Sequence, residues 1–201
     1  MFSIIQAAGW PIWPLLIASI ISLALILERL VALRAAKVVP AGLLRRVVVE
    51  YRQGSLNDRL VTDLEKHSPL GQVLASGLRN VNASREIMKE SIEEAGRAAT
   101  HELERYLSTL GTIASVSPLM GLFGTVIGMI EIFGAQAPTG HDPLLLAHGI
   151  SIALYNTAFG LLVAIPSLIC WRVFRSRVDG FVIDMEQQAI KLVEVVHGDR
   201  A

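Results

Sequence analysis

The stretches PLMGLFGTVIGMI, residues 118–130, and GISIALYNTAFGLLVAIP, residues 149–166, decide the fold of this chain. They belong to two longer segments, Tyr106–Ile130 and Pro143–Trp171, which contain no Lys, Arg, Asp or Glu. A bilayer core of about 30 Å is crossed by about 20 helical residues, so each segment is long enough to span a membrane. We therefore expect two membrane-spanning helices in the C-terminal half of the chain.

Each of these two helices carries a stripe of small and hydroxyl-bearing residues. Residues that recur every three or four positions share one face of a helix, and transmembrane helices pack closely where that face is small. The stripes predict that both helices pack tightly against a neighbour, with one threonine hydroxyl on each turned inward. The first stripe consists of Ser117, Gly121, Gly124, Thr125 and Gly128, and the second of Ala153, Thr157, Gly160, Ala164 and Ser167.

A third apolar segment opens the chain, since Met1–Leu27 carries no charged residue. We expect a first span from about Pro11 to Leu27, continuing to Leu33. The N-terminus lacks the basic region and the small-residue cleavage site of a removable signal peptide, so we expect this span to be retained as an anchor.

The positions of the cations predict the orientation of the three spans. All 18 Lys and Arg lie in residues 28–105 or 172–201, and the positive-inside rule makes both segments cytoplasmic. The N-terminus is then periplasmic and the C-terminus cytoplasmic. The formal net charge is +0, which gives no indication of nucleic acid binding.

Taken together, the segments predict an all-α membrane protein with three transmembrane helices, of which the second and third extend far into the cytoplasm. The expected divisions are residues 1–33 for the periplasmic N-terminus and first span, 34–105 for a cytoplasmic helical domain, 106–134 for the second span, 135–142 for a periplasmic turn, 143–171 for the third span, and 172–201 for a cytoplasmic helical tail.

The pattern of caps and breaks predicts where the cytoplasmic helices begin and end. Ser84 is a typical N-cap, and no Pro or pair of glycines follows before the second span, so we predict one long helix from about Ser84 to Gly134. The third helix is expected to continue to about His197. Breaks are indicated at Pro40, Gly54, Pro69 and Gly71, with short helices at 43–52 and 56–66.

The sequence contains no catalytic group of residues. It has no Gly-rich phosphate loop, no nucleophile beside a base and no metal-ligand spacing, so we expect no enzyme, no cofactor and no metal site. A proton path normally contains an acid or a histidine in mid-membrane, and no span has one deep within it. From the residues alone, the hydroxyl-bearing faces indicate either helix packing or the wall of an ion path whose titrating group comes from another polypeptide.

Glu131, at the end of the second span, has two interpretations. It lies at the level of the outer head groups, or it is a vestibule acid that attracts cations.

The two stretches quoted at the outset resemble the MotA/TolQ/ExbB proton channel family, and most closely its ExbB branch. The likeness covers nearly the whole chain, including Glu28-Arg29 after the first span and the order of the spans. It implies a homopentamer in the bacterial inner membrane that encloses the transmembrane helices of an ExbD-like dimer. A membrane aspartate of that dimer would carry the proton, and TonB would be the energised partner.

The resemblance also implies roles for individual residues. The pore-facing threonines of the family fall on Thr125 and Thr157, the two hydroxyls that the spacing already turns inward. Many members carry a glutamate near the start of the third span, where this chain has Ile152. The channel would then depend on the aspartate of the partner alone, or borrow Glu131, and transport of a different ion stays open.

Two further functions stay open at this stage. One is the role of a TolQ-like subunit of the Tol-Pal envelope system, and the other is a non-conducting membrane scaffold built from small-residue helices. A MotA role is disfavoured, because MotA proteins have four spans and a larger cytoplasmic domain.

Overall fold

A computed structural model describes residues 9–134 and 143–198 of the chain. The described residues form helices and no strand. The expected turn at 135–142 lies outside the described residues. The helices are α1 (Ile12–Ala32), α2 (Ala35–Val38), α3 (Leu43–Arg52), α4 (Asp58–His67), α5 (Pro69–Arg79), α6 (Arg85–Glu104), α7 (Leu107–Gly134) and α8 (Pro143–Val196).

The chain divides into two compact units. The first, here the apolar unit, consists of Met1–Glu28 and Tyr106–Val173; the second, here the polar unit, consists of Arg29–Arg105 and Phe174–Ala201. Three of the described helical segments are long and apolar enough to cross a membrane. They are Ile12–Ala32, Arg85–Gly134 and Gly149–Val196. The helix α1 covers the expected first span, and α8 ends one residue before the expected His197.

The apolar unit buries small and polar residues as well as some large apolar ones, and it leaves many large apolar side chains on its surface. Ser117, Asn156 and Ser167 are buried, together with Gly121 and Gly160. The large side chains on its surface are exposed to an unusual extent for a protein in water. Exposed apolar surface of this extent fits a helix cluster whose surroundings are apolar. Among the exposed side chains are Ile20, Leu119, Ile130, Leu162, Ile165 and Ile169.

The polar unit has an ordinary apolar core. Leu70, Leu74 and Met88 are fully buried where α5 contacts α6, and α4 also packs on α5. The C-terminal part of α8 buries an apolar face whose members are four or seven positions apart, namely Phe174, Val178, Met185 and Leu192. Within this unit, Arg175 of α8 forms a 2.7 Å ion pair with Glu104 of α6.

The start of α6 is the one that the sequence predicts. The Ile87 amide donates to the Ser84 hydroxyl at 3.4 Å, which confirms Ser84 as the N-cap. Hydrogen bonds from its own backbone amide and from the Ser84 hydroxyl lower the pKa of Glu86, an acid in the first turn. Both effects are those expected of the unpaired amides at a helix start.

The expectation of one unbroken helix from Ser84 to Gly134 is wrong. The chain breaks after Glu104, where Arg105 has φ −49° and ψ 136° and Tyr106 adopts a left-handed conformation with φ 65°. The last carbonyls of a helix lack intrahelical donors. The Arg29 guanidinium, which is buried, supplies one by donating to the Leu103 carbonyl at 3.1 Å. The hydrogen bond from Arg29, which is distant in sequence, therefore stabilises a helix end at which the sequence has no proline or glycine.

Of the two breaks that the sequence indicated at Pro69 and Gly71, the first is confirmed, because α4 ends at His67 and α5 begins at Pro69, and the second is wrong, because Gly71 lies within α5. Both lie in the first turn of α5, with Ser68 as the N-cap accepting from the Gly71 amide at 3.0 Å. Proline is well tolerated at this position. Gly71 is needed because a Cβ there would lie 2.0 Å from the Leu64 carbonyl oxygen of α4. The short helix at 43–52 is found at its expected bounds, and the one expected at 56–66 begins at Asp58.

The close approach at Gly71 predicts the effect of a single methyl group. Gly71→Ala is expected to lower the free energy of unfolding by about 1–3 kcal/mol, because the backbone of α4 has to move away. A Cβ at Gly96, in the interior of α6, would have no atom within 4 Å. Gly96→Ala is expected to raise the free energy of unfolding by about 0.5–1 kcal/mol. Urea unfolding of the detergent-solubilised protein, followed by far-UV circular dichroism, compares the two variants, and equal shifts would contradict the packing described.

Candidate functional site

The small-residue stripes of α7 and α8 bring the two backbones into contact. A Cβ on Gly121 would lie 2.7 Å from the Asn156 carbonyl oxygen and 3.2 Å from the Gly160 Cα. A Cβ on Gly160 would lie 2.6 Å from the Ser117 carbonyl oxygen. Distances under 3.0 Å leave no room for a side chain, so only glycine permits this crossing.

The remaining stripe residues extend the contact in both directions. A Cβ on Gly124 would meet the Asn156 Cβ at 2.8 Å, and one on Gly128 would meet the Ala153 Cβ at 3.1 Å. Ala153 and Ala164 are buried on the same side of α8. The contact between the helices therefore runs over several turns, and it is tightest near Gly121.

Thr125 and Thr157 face each other across this contact. Their hydroxyls are hydrogen-bonded to each other. The Thr125 Oγ1 is also 3.0 Å from the Ala153 carbonyl oxygen and 3.2 Å from the Gly121 carbonyl oxygen. The Thr157 Oγ1 is 3.2 Å from the same Gly121 oxygen. The sequence predicted two inward hydroxyls, and the structure joins them in one cluster.

The cluster can hold its protons in more than one arrangement. Each hydroxyl donates one hydrogen and accepts two, so two hydrogens are shared among the two carbonyl oxygens and the hydroxyls themselves. If Thr125 donates to Ala153, then Thr157 is able to donate either to Gly121 or to Thr125. Both threonines are only half-buried. A third polar group that approaches the helix pair could therefore accept from, or donate to, the cluster.

The cluster contains no group that ionises near neutral pH. Glu131 lies six positions after Thr125, about 9 Å further along the helix, and its side chain is exposed. Within residues 9–134 and 143–198 it makes no hydrogen bond or ion pair. The same residues contain no group of three or more His, Cys, Asp or Glu side chains able to hold a metal ion. The Ile152 side chain lies outside the described residues.

Two polar contacts of the apolar unit were missed by sequence reasoning. Asn156 is buried and packs against the Gly124 backbone. Ser22 of α1 is hydrogen-bonded to Ser167 of α8 at 2.6 Å, and the Ser167 hydroxyl donates to the Val163 carbonyl at 2.6 Å. An amide in the middle of an apolar span is costly unless it is satisfied, and that cost is the signal by which Asn156 could have been singled out.

The crossing at Gly160 predicts a strong dependence on side-chain size. Gly160→Ala is expected to push α8 away from the Ser117 carbonyl and to destabilise the folded protein by about 1–3 kcal/mol. The control is Gly180→Ala in the same helix, where a Cβ meets nothing within 4 Å. Titration of the detergent-solubilised variants with sodium dodecyl sulfate gives their unfolding midpoints. If Gly160→Ala unfolds at the midpoint of Gly180→Ala, the helices are not in backbone contact.

Comparison with known proteins agrees with the resemblance seen in the sequence. The match to the model of the MotA/TolQ/ExbB proton channel family covers residues 65–187. The chain is 34% identical over 170 residues to the biopolymer transport protein exbB1 of Vibrio cholerae serotype O1, across 81% of this chain and 74% of that protein. It is 32% identical over 150 residues to the biopolymer transport protein ExbB of Pseudomonas putida, across 72% of this chain and 44% of that protein.

A second branch of the family is also similar. The Tol-Pal system protein TolQ of Pseudomonas aeruginosa is 31% identical over 175 residues, across 81% of this chain and 76% of that protein. With three helical segments able to cross a bilayer, the chain is a multi-pass membrane protein and belongs to the MotA/TolQ/ExbB proton channel family.

Proposed function

We propose that this chain is the channel and stator subunit of an inner-membrane complex that couples the proton motive force to TonB-dependent transport across the outer membrane. It is proposed to form a pentamer around an ExbD-like dimer. The cation-bearing segments 34–105 and 172–201 lie in the cytoplasm, and the N-terminus and residues 135–142 lie in the periplasm. The names of the relatives, which describe biopolymer transport, favour this role.

The observation that carries the proposal is the hydroxyl cluster of Thr125 and Thr157. It lies inside apolar helices, yet it offers lone pairs and exchangeable hydrogens to a group outside the helix pair. A carboxylic acid on a neighbouring helix would donate to a threonine oxygen, and its carboxylate would accept from the same hydroxyl. Such a site lowers the cost of charge on a membrane acid without itself becoming charged.

The need for a second polypeptide follows from the charges of this chain. Tyr106–Ile130 and Pro143–Trp171 contain no Lys, Arg, Asp or Glu. The first cation after Thr157 is Arg172, about 22 Å away along the helix. A proton that crosses the membrane needs a titrating group at the depth of these two uncharged segments. We assign that group to the aspartate of the partner, and we assign Glu131 the role of a vestibule acid on the periplasmic side.

A TolQ-like function is the second candidate. It is favoured by the 31% identity to the Pseudomonas aeruginosa Tol-Pal protein over 81% of this chain. Because the proposed proton path is the same in both roles, the partner proteins would distinguish them. Restored uptake through outer-membrane receptors in a deletion strain favours the first role, and restored envelope integrity favours the second.

Replacement of one hydroxyl by a methyl group tests the proton path. Thr157→Val keeps the shape of the side chain and removes the hydrogen bonds to Thr125 and Gly121. The variant also lacks the hydroxyl that is proposed to donate to the carboxylate of the partner. Loss of a hydrogen bond to a charged group corresponds to roughly a tenfold effect or more. We therefore expect proton flux to fall at least about tenfold, whereas Thr157→Ser, which retains the hydroxyl, keeps most of it. The measurement is dye-detected proton flux in liposomes that contain the chain together with its single-span partner.

Thr112 provides a matched control on α7. Its hydroxyl is exposed and donates only to the Ser108 carbonyl of its own helix, at 2.9 Å. Thr112→Val should leave the flux within about twofold of the unmodified complex, because no contact between helices is lost. An intact complex in which Thr157→Val conducts as well as Thr112→Val would favour a non-conducting scaffold instead.

A further inference from the structure

An exposed group of cations follows the first apolar helix and is not used by the proposed proton path. Between Arg34 and Arg52 the sequence carries five cations and a single carboxylate, Glu50. That carboxylate accepts a hydrogen bond from the Ser55 hydroxyl at 2.6 Å. The five cations, here called the basic surface, all have exposed side chains; they are Arg34, Lys37, Arg45, Arg46 and Arg52.

Buried apolar residues hold this segment to the polar unit while its cations point outward. Leu33, Val38 and Val47 are each about 1% exposed, and each lies next to a cation in the sequence. The short helix α2 also contacts α5 of the same unit. The cations therefore extend from a fixed backbone, which reduces the entropy lost when they bind a ligand.

The helix α3 arranges three of these cations around one apolar residue. Arg45, Arg46, Val49 and Arg52 lie on one helical face, because they are separated by one, three or four positions. Val49 is 45% exposed in the middle of this face. The opposite face contains the buried Val47. An outward face with arginines around an exposed valine is the arrangement of a helix that lies against charged lipid head groups.

The rest of the polar unit pairs several of its cations. Arg79 is 2.5 Å from Glu65, Arg175 is 2.7 Å from Glu104, and Arg97 is 4.0 Å from Glu93. Among the residues that the structure describes, none of the five cations of the basic surface forms an ion pair or a side-chain hydrogen bond. Their charge is therefore available to an external anion.

From these observations we infer that the basic surface binds the phosphate head groups of anionic phospholipids. Arg34 lies two residues after the end of α1, which keeps it within about 7 Å of the end of a membrane-capable helix. The negative potential of an anionic leaflet acts within about a Debye length, near 10 Å. Four of the five cations are arginines, whose planar guanidinium fits two phosphate oxygens at once. This inference is independent of proton conduction.

Lipid selectivity of the purified full-length protein tests the inference. Native mass spectrometry gives the Kd for phosphatidylglycerol and for phosphatidylcholine, and the ratio of the two is the lipid preference. One cation in contact with the anionic head group corresponds to roughly a fivefold preference for phosphatidylglycerol. We expect the unmodified protein to prefer phosphatidylglycerol by at least roughly fivefold. Replacing all five cations of the basic surface by Gln should bring the preference close to one. A control variant with the same loss of charge has Gln at Arg59, Lys66, Lys89, Arg97 and Lys191, which are also exposed.

A smaller variant covers the case in which loss of all five cations disturbs membrane insertion. Arg45→Gln/Arg46→Gln/Arg52→Gln retains Arg34 and Lys37, which lie nearest the membrane helix. It should lower the preference for phosphatidylglycerol at least roughly threefold, since the exposed face of α3 then carries no cation. An unmodified protein without lipid preference, a retained preference in this triple variant, or an equal loss in the control would overturn the inference.

Discussion

The backbone contact between α7 and α8 is the constraint on which the candidate site depends. At Gly121 and Gly160 no Cβ fits between the helices, and this closeness allows hydroxyls on both helices to reach each other and the opposite carbonyl oxygens. With larger residues at the crossing, each threonine would be able to bond only within its own helix, as Thr112 does. The glycines and threonines therefore form one structural arrangement, in which packing creates the polar site.

A site made only of hydroxyls and carbonyls has a particular electrostatic character. Threonine neither gains nor loses a proton near neutral pH, so the cluster of Thr125 and Thr157 carries no charge that the bilayer would disfavour. The helix pair can then be placed in a membrane without burying a charged side chain at this site. In the proposed complex, a partner brings the charged group, and that group meets hydrogen-bonding atoms that are already held in place by the helix crossing.

Much of this arrangement could be predicted from the sequence, because transmembrane spans and small-residue stripes depend on local periodicity. Thr125, Thr157 and the glycines around them were found by spacing alone, and Ser84 by the chemistry of helix starts. The bond between the two threonines could not be found, since it depends on how both helices are rotated. The break at Tyr106 could not be predicted either. The residue in the left-handed conformation is a tyrosine and not a glycine, and the compensating donor, Arg29, is distant in sequence. Gly71 was misread for the related reason that its closest neighbour, the Leu64 carbonyl, belongs to another helix.

The hydroxyl pair of Ser22 and Ser167 joins α1 to α8 by a buried hydrogen bond. A helix surrounded by lipid tails has almost no preferred azimuth, since leucine and isoleucine are solvated equally well in every direction. One serine that is hydrogen-bonded to α8 therefore favours a single rotation of α1 and a single height of α1 along α8. In a membrane of different thickness, the two helices are then expected to tilt together, so that hydrophobic mismatch is taken up by the pair and not by α1 alone.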